Sequence, residues 1–155
     1  MTIKTIGLIG AGLMGHGIGK NIVTKGFALS VCAHRKRAPV ESLVSMGAIE
    51  RASPADVAAH CDLVILCVTG SPQVEEAVLG DNGILKGAKP GLIIADCSTA
   101  EPDATVRLAA EIAKFDVTLV DTPLTRTPKE AEAGKLGMMT GGDPGILSRI
   151  RPVMD

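Results

Sequence analysis

Three glycines near the amino terminus, Gly10, Gly12 and Gly15, have the spacing G-x-G-x-x-G, with Ala11, Leu13 and Met14 between them. The chemistry served by this spacing is the holding of a pyrophosphate. The first glycine permits a tight strand-to-helix turn, the second lets an anion approach bare backbone, and the third lets the helix lie close to the strand. The anion then meets free amides at the positive end of a helix. With eighteen glycines in the chain the spacing alone says little. Its setting says more. An apolar run at 3–9 precedes it, an amphipathic stretch to Gly26 follows, and a second apolar run occupies 27–33. That order is what a dinucleotide-binding loop requires. Gly19 falls one turn beyond Gly15, on the face of Ile18 and Ile22. A glycine inside a helix costs about 1 kcal/mol relative to alanine, so several in one helix point to close packing or a ligand.

The other candidates follow the later strands, because ligands of such sheets gather at the carboxyl ends of the strands. After the second strand come His34, Arg35, Lys36 and Arg37, with no carboxylate until Glu41. A carboxylate there would bind the ribose 2′-hydroxyl of NAD. Consecutive cations instead suit the 2′-phosphate of NADP, so NADP is expected over NAD; a solvated basic turn is the competing reading. Val68, Thr69, Gly70, Gln73 and Val74 follow the next strand and could flank the ribose and pyrophosphate. Asp96, Cys97, Ser98 and Thr99 form a turn with two hydroxyls near the expected nicotinamide position, where simple capping of the next helix is the alternative.

The elements that must position these residues alternate along the whole chain. Helices are expected at 39–46, 54–60, 71–79, 102–114 and from 144 onward, with a helical turn at 129–133. Strands are expected at 62–68, 91–95, 117–120 and 136–140. Alternation of this kind means a parallel sheet covered on both faces. The fold class is α/β: a Rossmann-type, doubly wound, three-layer αβα sandwich with a mainly parallel sheet, in one domain spanning 1–155. A 46% hydrophobic and 21% charged composition suits a packed globular core. Two Phe and no Trp or Tyr leave nothing for stacking nucleic-acid bases, and a net charge of −1 supplies no basic field for nucleic acid or anionic membrane. No run is long enough to span a membrane, and a cytoplasmic location is expected. Cys32, Cys61, Cys67 and Cys97 lack C-x-x-C pairing and read as buried thiols; His16, His34 and His60 are scattered, so no metal is expected.

Four stretches, in order and spacing, carry a resemblance. They are the glycine loop at 7–15, the Asp96–Thr99 turn, Asp121-Thr-Pro-Leu124, and Ala133-Gly134-Lys-Leu136 with Gly141-Gly142. Together they resemble the cofactor domain of the β-hydroxyacid dehydrogenases, over essentially all 155 residues. The resemblance implies that Gly10, Gly12 and Gly15 hold the pyrophosphate, Thr99 approaches the nicotinamide ribose, and Arg35 meets the 2′-phosphate. It implies hydride transfer between NADP(H) and a small anionic hydroxyacid or aldehyde, in a full-length protein that is a homo-oligomer. An imine reductase would share the glycine loop but not the Asp96–Thr99 turn. Where the family has Ser-Gly-Gly to grip the substrate carboxylate, this chain has Thr125, Arg126 and Thr127, which looks like the branch that reduces sulfolactaldehyde. Arg126 is expected to pair with an extra anion, and Ser98, Thr125 and Thr127 to help orient the substrate. The family's catalytic lysine lies on a helix beyond Asp155, in a helical domain that these residues do not include. No lysine here takes that role, and the chain alone is expected to bind cofactor without turnover. The alternative reading is a non-catalytic dinucleotide-binding or interaction module.

Overall fold

In the computed structural model, which describes residues 2–155, six short strands, five of them mainly apolar, lie side by side as one parallel sheet. These are β1 (Thr5–Ile9), β2 (Ala28–Cys32), β3 (Ile49–Arg51), β4 (Leu63–Leu66), β5 (Ile93–Asp96) and β6 (Thr118–Asp121), in the order β3-β2-β1-β4-β5-β6. Leu8, Val31, Ile65 and Ala95 are register neighbours on one face, and Val64, Ile94 and Leu66 lie on the other, so the centre of the sheet is apolar on both faces. Runs of β-branched residues serve this double burial. On one face Ile6, Leu8 and Val31 pack under α1 (Leu13–Thr24), α2 (Ala38–Ser45) and α7 (Pro144–Met154), through Ile22, Leu43 and Ile150. On the other, Val64, Leu66 and Ile94 pack under α3 (Pro54–Ala59), α4 (Ser71–Leu79) and α5 (Pro102–Ala113). This is the expected αβα sandwich.

Two features escape the sequence pattern. The strand β3 is three residues long, with Ile49 half exposed and Glu50 and Arg51 beside it, so neither alternation nor apolar continuity marks it. Short polar strands are how a sheet protects its edge. The strand expected at 136–140 shrinks to β8 (Gly137–Met138), antiparallel to the unforeseen β7 (Leu124–Thr125), with α6 (Pro128–Glu132) between them. Boundaries also move. Asp62 lies before β4, where its carboxylate accepts the Lys4 and Thr5 amides at 2.9 and 3.0 Å, whereas Asp96 ends β5 rather than opening a turn.

All four cysteines are free. Burial pushes Cys32, Cys61 and Cys67 up to about 11 and Cys97 to about 12. The native chain at pH 8 is expected to react with a disulfide reagent about 10²-fold more slowly than the urea-unfolded chain, because only thiolate reacts. Thiol-release kinetics with and without urea check this; equal rates would contradict the burial.

Candidate dinucleotide-binding site

The sheet reverses its winding between β1 and β4, and the loops leaving these strands stand together at that crevice. The three glycines of the first loop do different things. Gly10 has φ +96°, and a Cβ there would lie 2.2 Å from the Cys67 carbonyl oxygen. At Gly15 a Cβ would lie 1.9 Å from the Gly10 oxygen. These two positions admit only glycine because backbone crosses backbone. Gly12 has an ordinary φ of −78°, and a Cβ on it would meet nothing within 4 Å. It is the N-cap of α1 with no side-chain cap, so the first-turn amides are open. An anion fits this cradle, bounded by glycine backbone and the helix end, with Leu13 83% exposed beside it. Gly19 packs against Leu8 and Leu43 as its place on the apolar face suggests. Gly17, which spacing did not single out, lets α1 touch the backbone of α6 at Ala131.

Beyond β4, Gly70 caps α4 in extended conformation, and Thr69 and Gln73 are exposed at the same end. Val74 is a correction: at 3% exposure its side chain belongs to the core under α4 rather than to a ligand surface. Beyond β2, His34, Arg35 and Lys36 are exposed. Arg35 and Lys36 make no ion pair among the described residues. Arg37 is removed from the trio of cations, since it bonds Glu41 at 3.3 Å and Glu50 at 3.0 Å. Glu50 comes from β3, which is why the sequence hid this pairing.

At the ends of β5 and β6, Asp96 and Asp121 are register neighbours. Asp96 is fully buried; one oxygen accepts the Ser98 amide at 2.9 Å and the other has no partner among the described residues. Burial pushes its carboxyl up against the opposing bonds from Ser98, and burial together with Asp96 pushes Asp121 up. Ser98 is 3% exposed and its hydroxyl accepts the Val68 amide at 3.0 Å, which makes it a staple between β4 and β5 rather than a substrate contact. Thr99 is exposed.

In the turn at 125–127, Thr125 and Arg126 are exposed. Arg126 has φ +80°, a left-handed conformation that costs a non-glycine residue about 1–2 kcal/mol. Its guanidinium donates to the Lys135 carbonyl at 2.8 Å, which braces the side chain; its remaining donors have no partner among the described residues. Thr127 instead caps α6: its amide donates to the Glu130 carboxylate at 3.1 Å, and its hydroxyl bonds the same group.

Residues 5–155 match the model of the NAD binding domain of 6-phosphogluconate dehydrogenase. The chain belongs to that family. Among its relatives, 2-hydroxy-3-oxopropionate reductase of Escherichia coli K12 is 31% identical over 150 residues, which are 97% of this chain and 51% of that protein. Cytokine-like nuclear factor N-PAC of Xenopus tropicalis is 31% identical over 94% of this chain and 27% of its own length. Among solved structures, Mycobacterium tuberculosis 3-hydroxyisobutyrate dehydrogenase with L-serine superposes with a TM-score of 0.90 at 25% identity, over 99% of this chain and 51% of that one. The chain thus spans at most about half the length of these relatives. The NAD-binding domain therefore has the glycine loop and the mainly parallel αβα sandwich that the family resemblance implied.

Proposed function

We propose that this domain is the cofactor-binding half of an NADP-dependent oxidoreductase of the β-hydroxyacid dehydrogenase type, acting on a small anionic 3-hydroxyacid or semialdehyde. One observation carries the cofactor preference. Glu41 and Glu50, the carboxylates adjoining the loop after β2, are both occupied by Arg37, while Arg35 and Lys36 make no ion pair among the described residues. That leaves two cations for a 2′-phosphate and no free carboxylate for a 2′-hydroxyl. When bound, the nicotinamide gives or takes a hydride. The chain's own part is to hold the pyrophosphate on the open end of α1 and to present Thr99, Thr125 and Arg126 at the strand ends. Calorimetric titration of the 155-residue chain is expected to show tighter binding of NADPH than of NADH. Arg35→Ala with Lys36→Ala should reduce that advantage about tenfold or more, each lost charge-assisted bond being worth about 1.5–3 kcal/mol. Equal affinities in the unaltered chain would remove the 2′-phosphate assignment.

The substrate reading rests on Arg126. A planar cation held at positive φ is strain retained at a site that uses it. In an active enzyme carrying this domain, Arg126→Gly should raise KM about tenfold or more for a substrate with a second anion, a sulfonate, phosphate or carboxylate. Binding of NADPH should be unaffected. An unchanged KM would reject the anion contact. The relative N-PAC is named as a nuclear factor and not as a dehydrogenase, and a second reading, a dinucleotide-binding or interaction module without turnover, predicts the same titration but no activity in the longer protein.

A further inference from the structure

The imidazole of His16 stands where three elements meet, α1, α2 and α6. Its backbone amide closes the first turn of α1 on the Gly12 carbonyl at 2.9 Å. Its Nδ1 lies 2.6 Å from Glu132 Oε1 at the end of α6, and its Nε2 lies 3.0 Å from Ser42 Oγ on α2. Glu132 also takes Lys20 Nζ at 3.0 Å, and these two partners hold its carboxyl below the usual range. An ionised carboxylate only accepts, so Nδ1 must carry the proton. In the neutral ring Nε2 is then left to accept from the Ser42 hydroxyl. The Asn21 amide adds bonds to Gly17 and Ala131 at 2.7 and 2.9 Å on the same seam. The short helix α6 begins at Pro128 with Thr127 as its N-cap, so whatever fixes α6 on α1 also fixes the turn at 125–127.

We propose that His16, acting through Glu132, is a positioning residue that references the 125–127 turn to the pyrophosphate loop. The inference rests on the reading of that turn as a substrate contact. Geometry gives it independent support: His16 is one helical turn from Gly12, and Glu132 is one helix of five residues from Arg126. The link joins the two places where cofactor and substrate are to be held, and α2, which follows Arg35 and Lys36, is tied to it by Ser42.

Two amide side chains separate the two halves of the imidazole. The side-chain nitrogen of His16→Asn overlaps Nδ1 and keeps a donor toward Glu132, while that of His16→Gln overlaps Nε2 and keeps only the reach toward Ser42. In the 155-residue chain, His16→Gln is expected to speed hydrogen exchange at the Ala131 and Ala133 amides about tenfold or more, in line with loss of a charge-assisted bond, and to shift the amide resonances of Thr125, Arg126 and Thr127. His16→Asn should stay near wild type on both. The two variants behaving alike, or both matching wild type, would overturn the proposal. Should His16→Gln fail to fold, nitrogen NMR of the unaltered chain still decides. In the neutral ring the proton is expected on Nδ1, and the opposite tautomer overturns the link. Failure of NADPH to bind would instead overturn the proposed function while leaving these exchange rates and the tautomer as they are.

Discussion

Replacing Gly12 by valine is expected to leave the fold in place and to abolish dinucleotide binding, a result that neither neighbouring glycine can give. The distinction is geometric. A side chain on Gly12 has an ordinary φ to adopt and no protein atom within 4 Å to strike. The only structural cost is a poorer N-cap, about 1 kcal/mol or less when glycine is exchanged for an apolar residue there. The valine methyls would stand in the cradle through which the pyrophosphate must reach the open amides of α1. Loss of the phosphate–amide bonds should weaken NADPH and NADH alike by about 100-fold or more, which is about 3 kcal/mol. Gly10→Val and Gly15→Val should instead lower the melting temperature severely, since each drives a Cβ to within 2.2 Å or less of a carbonyl oxygen. Thermal unfolding followed by circular dichroism, with calorimetric titration of the same samples, reads both quantities. A Gly12→Val chain that still binds at wild-type strength would place the pyrophosphate elsewhere.

The same contrast explains what the sequence could and could not reveal. G-x-G-x-x-G between two apolar runs marks the loop, because the motif is local and its elements are long and apolar. Central strands and their helices are legible for that reason too. The edge strand β3 is not, and with it went the partner of Arg37: a run of three cations looks uniform until Glu50 arrives from a strand too short and polar to announce itself. Ser98, Thr127 and Val74 show a second limit. Each sits beside residues exposed at the strand ends, but Ser98 staples β4 to β5, Thr127 caps α6, and Val74 fills core. Residue type and position along the chain place a hydroxyl near a site; only its partners tell whether it is free. Gly17 and His16 carry no motif, and their roles exist only because α6 packs across α1.

Asp96→Asn is expected to make the domain more stable at neutral pH and to leave it unchanged in acid. Asp96 ends β5 with one carboxylate oxygen on the Ser98 amide and the other without a partner among the described residues, and its register neighbour is Asp121. Burial raises its carboxyl, so the folded state resists ionisation more than the unfolded chain does. Between the unfolded and the folded pKa the native state therefore binds more protons, and stability falls as pH rises through that window. Below the ordinary carboxylate range both states are protonated and the effect vanishes. Asp62, Glu130 and Glu132 have the opposite sign. Their carboxyls are held low by hydrogen bonds and nearby cations, so their contributions are lost as pH falls through the depressed values. The neutral amide removes the cost of ionising a buried carboxyl and keeps an acceptor for the Ser98 amide; its NH2 stands where the unpartnered oxygen stood, so the gain comes from the lost charge alone. It should also lower the Asp121 carboxyl, whose rise comes from burial first and from Asp96 second. Urea unfolding of both proteins from pH 4 to pH 8 tests the sign. Curves that converge at pH 4 and separate above it are expected, and a variant less stable at pH 8 would mean that the Asp96 charge has a partner.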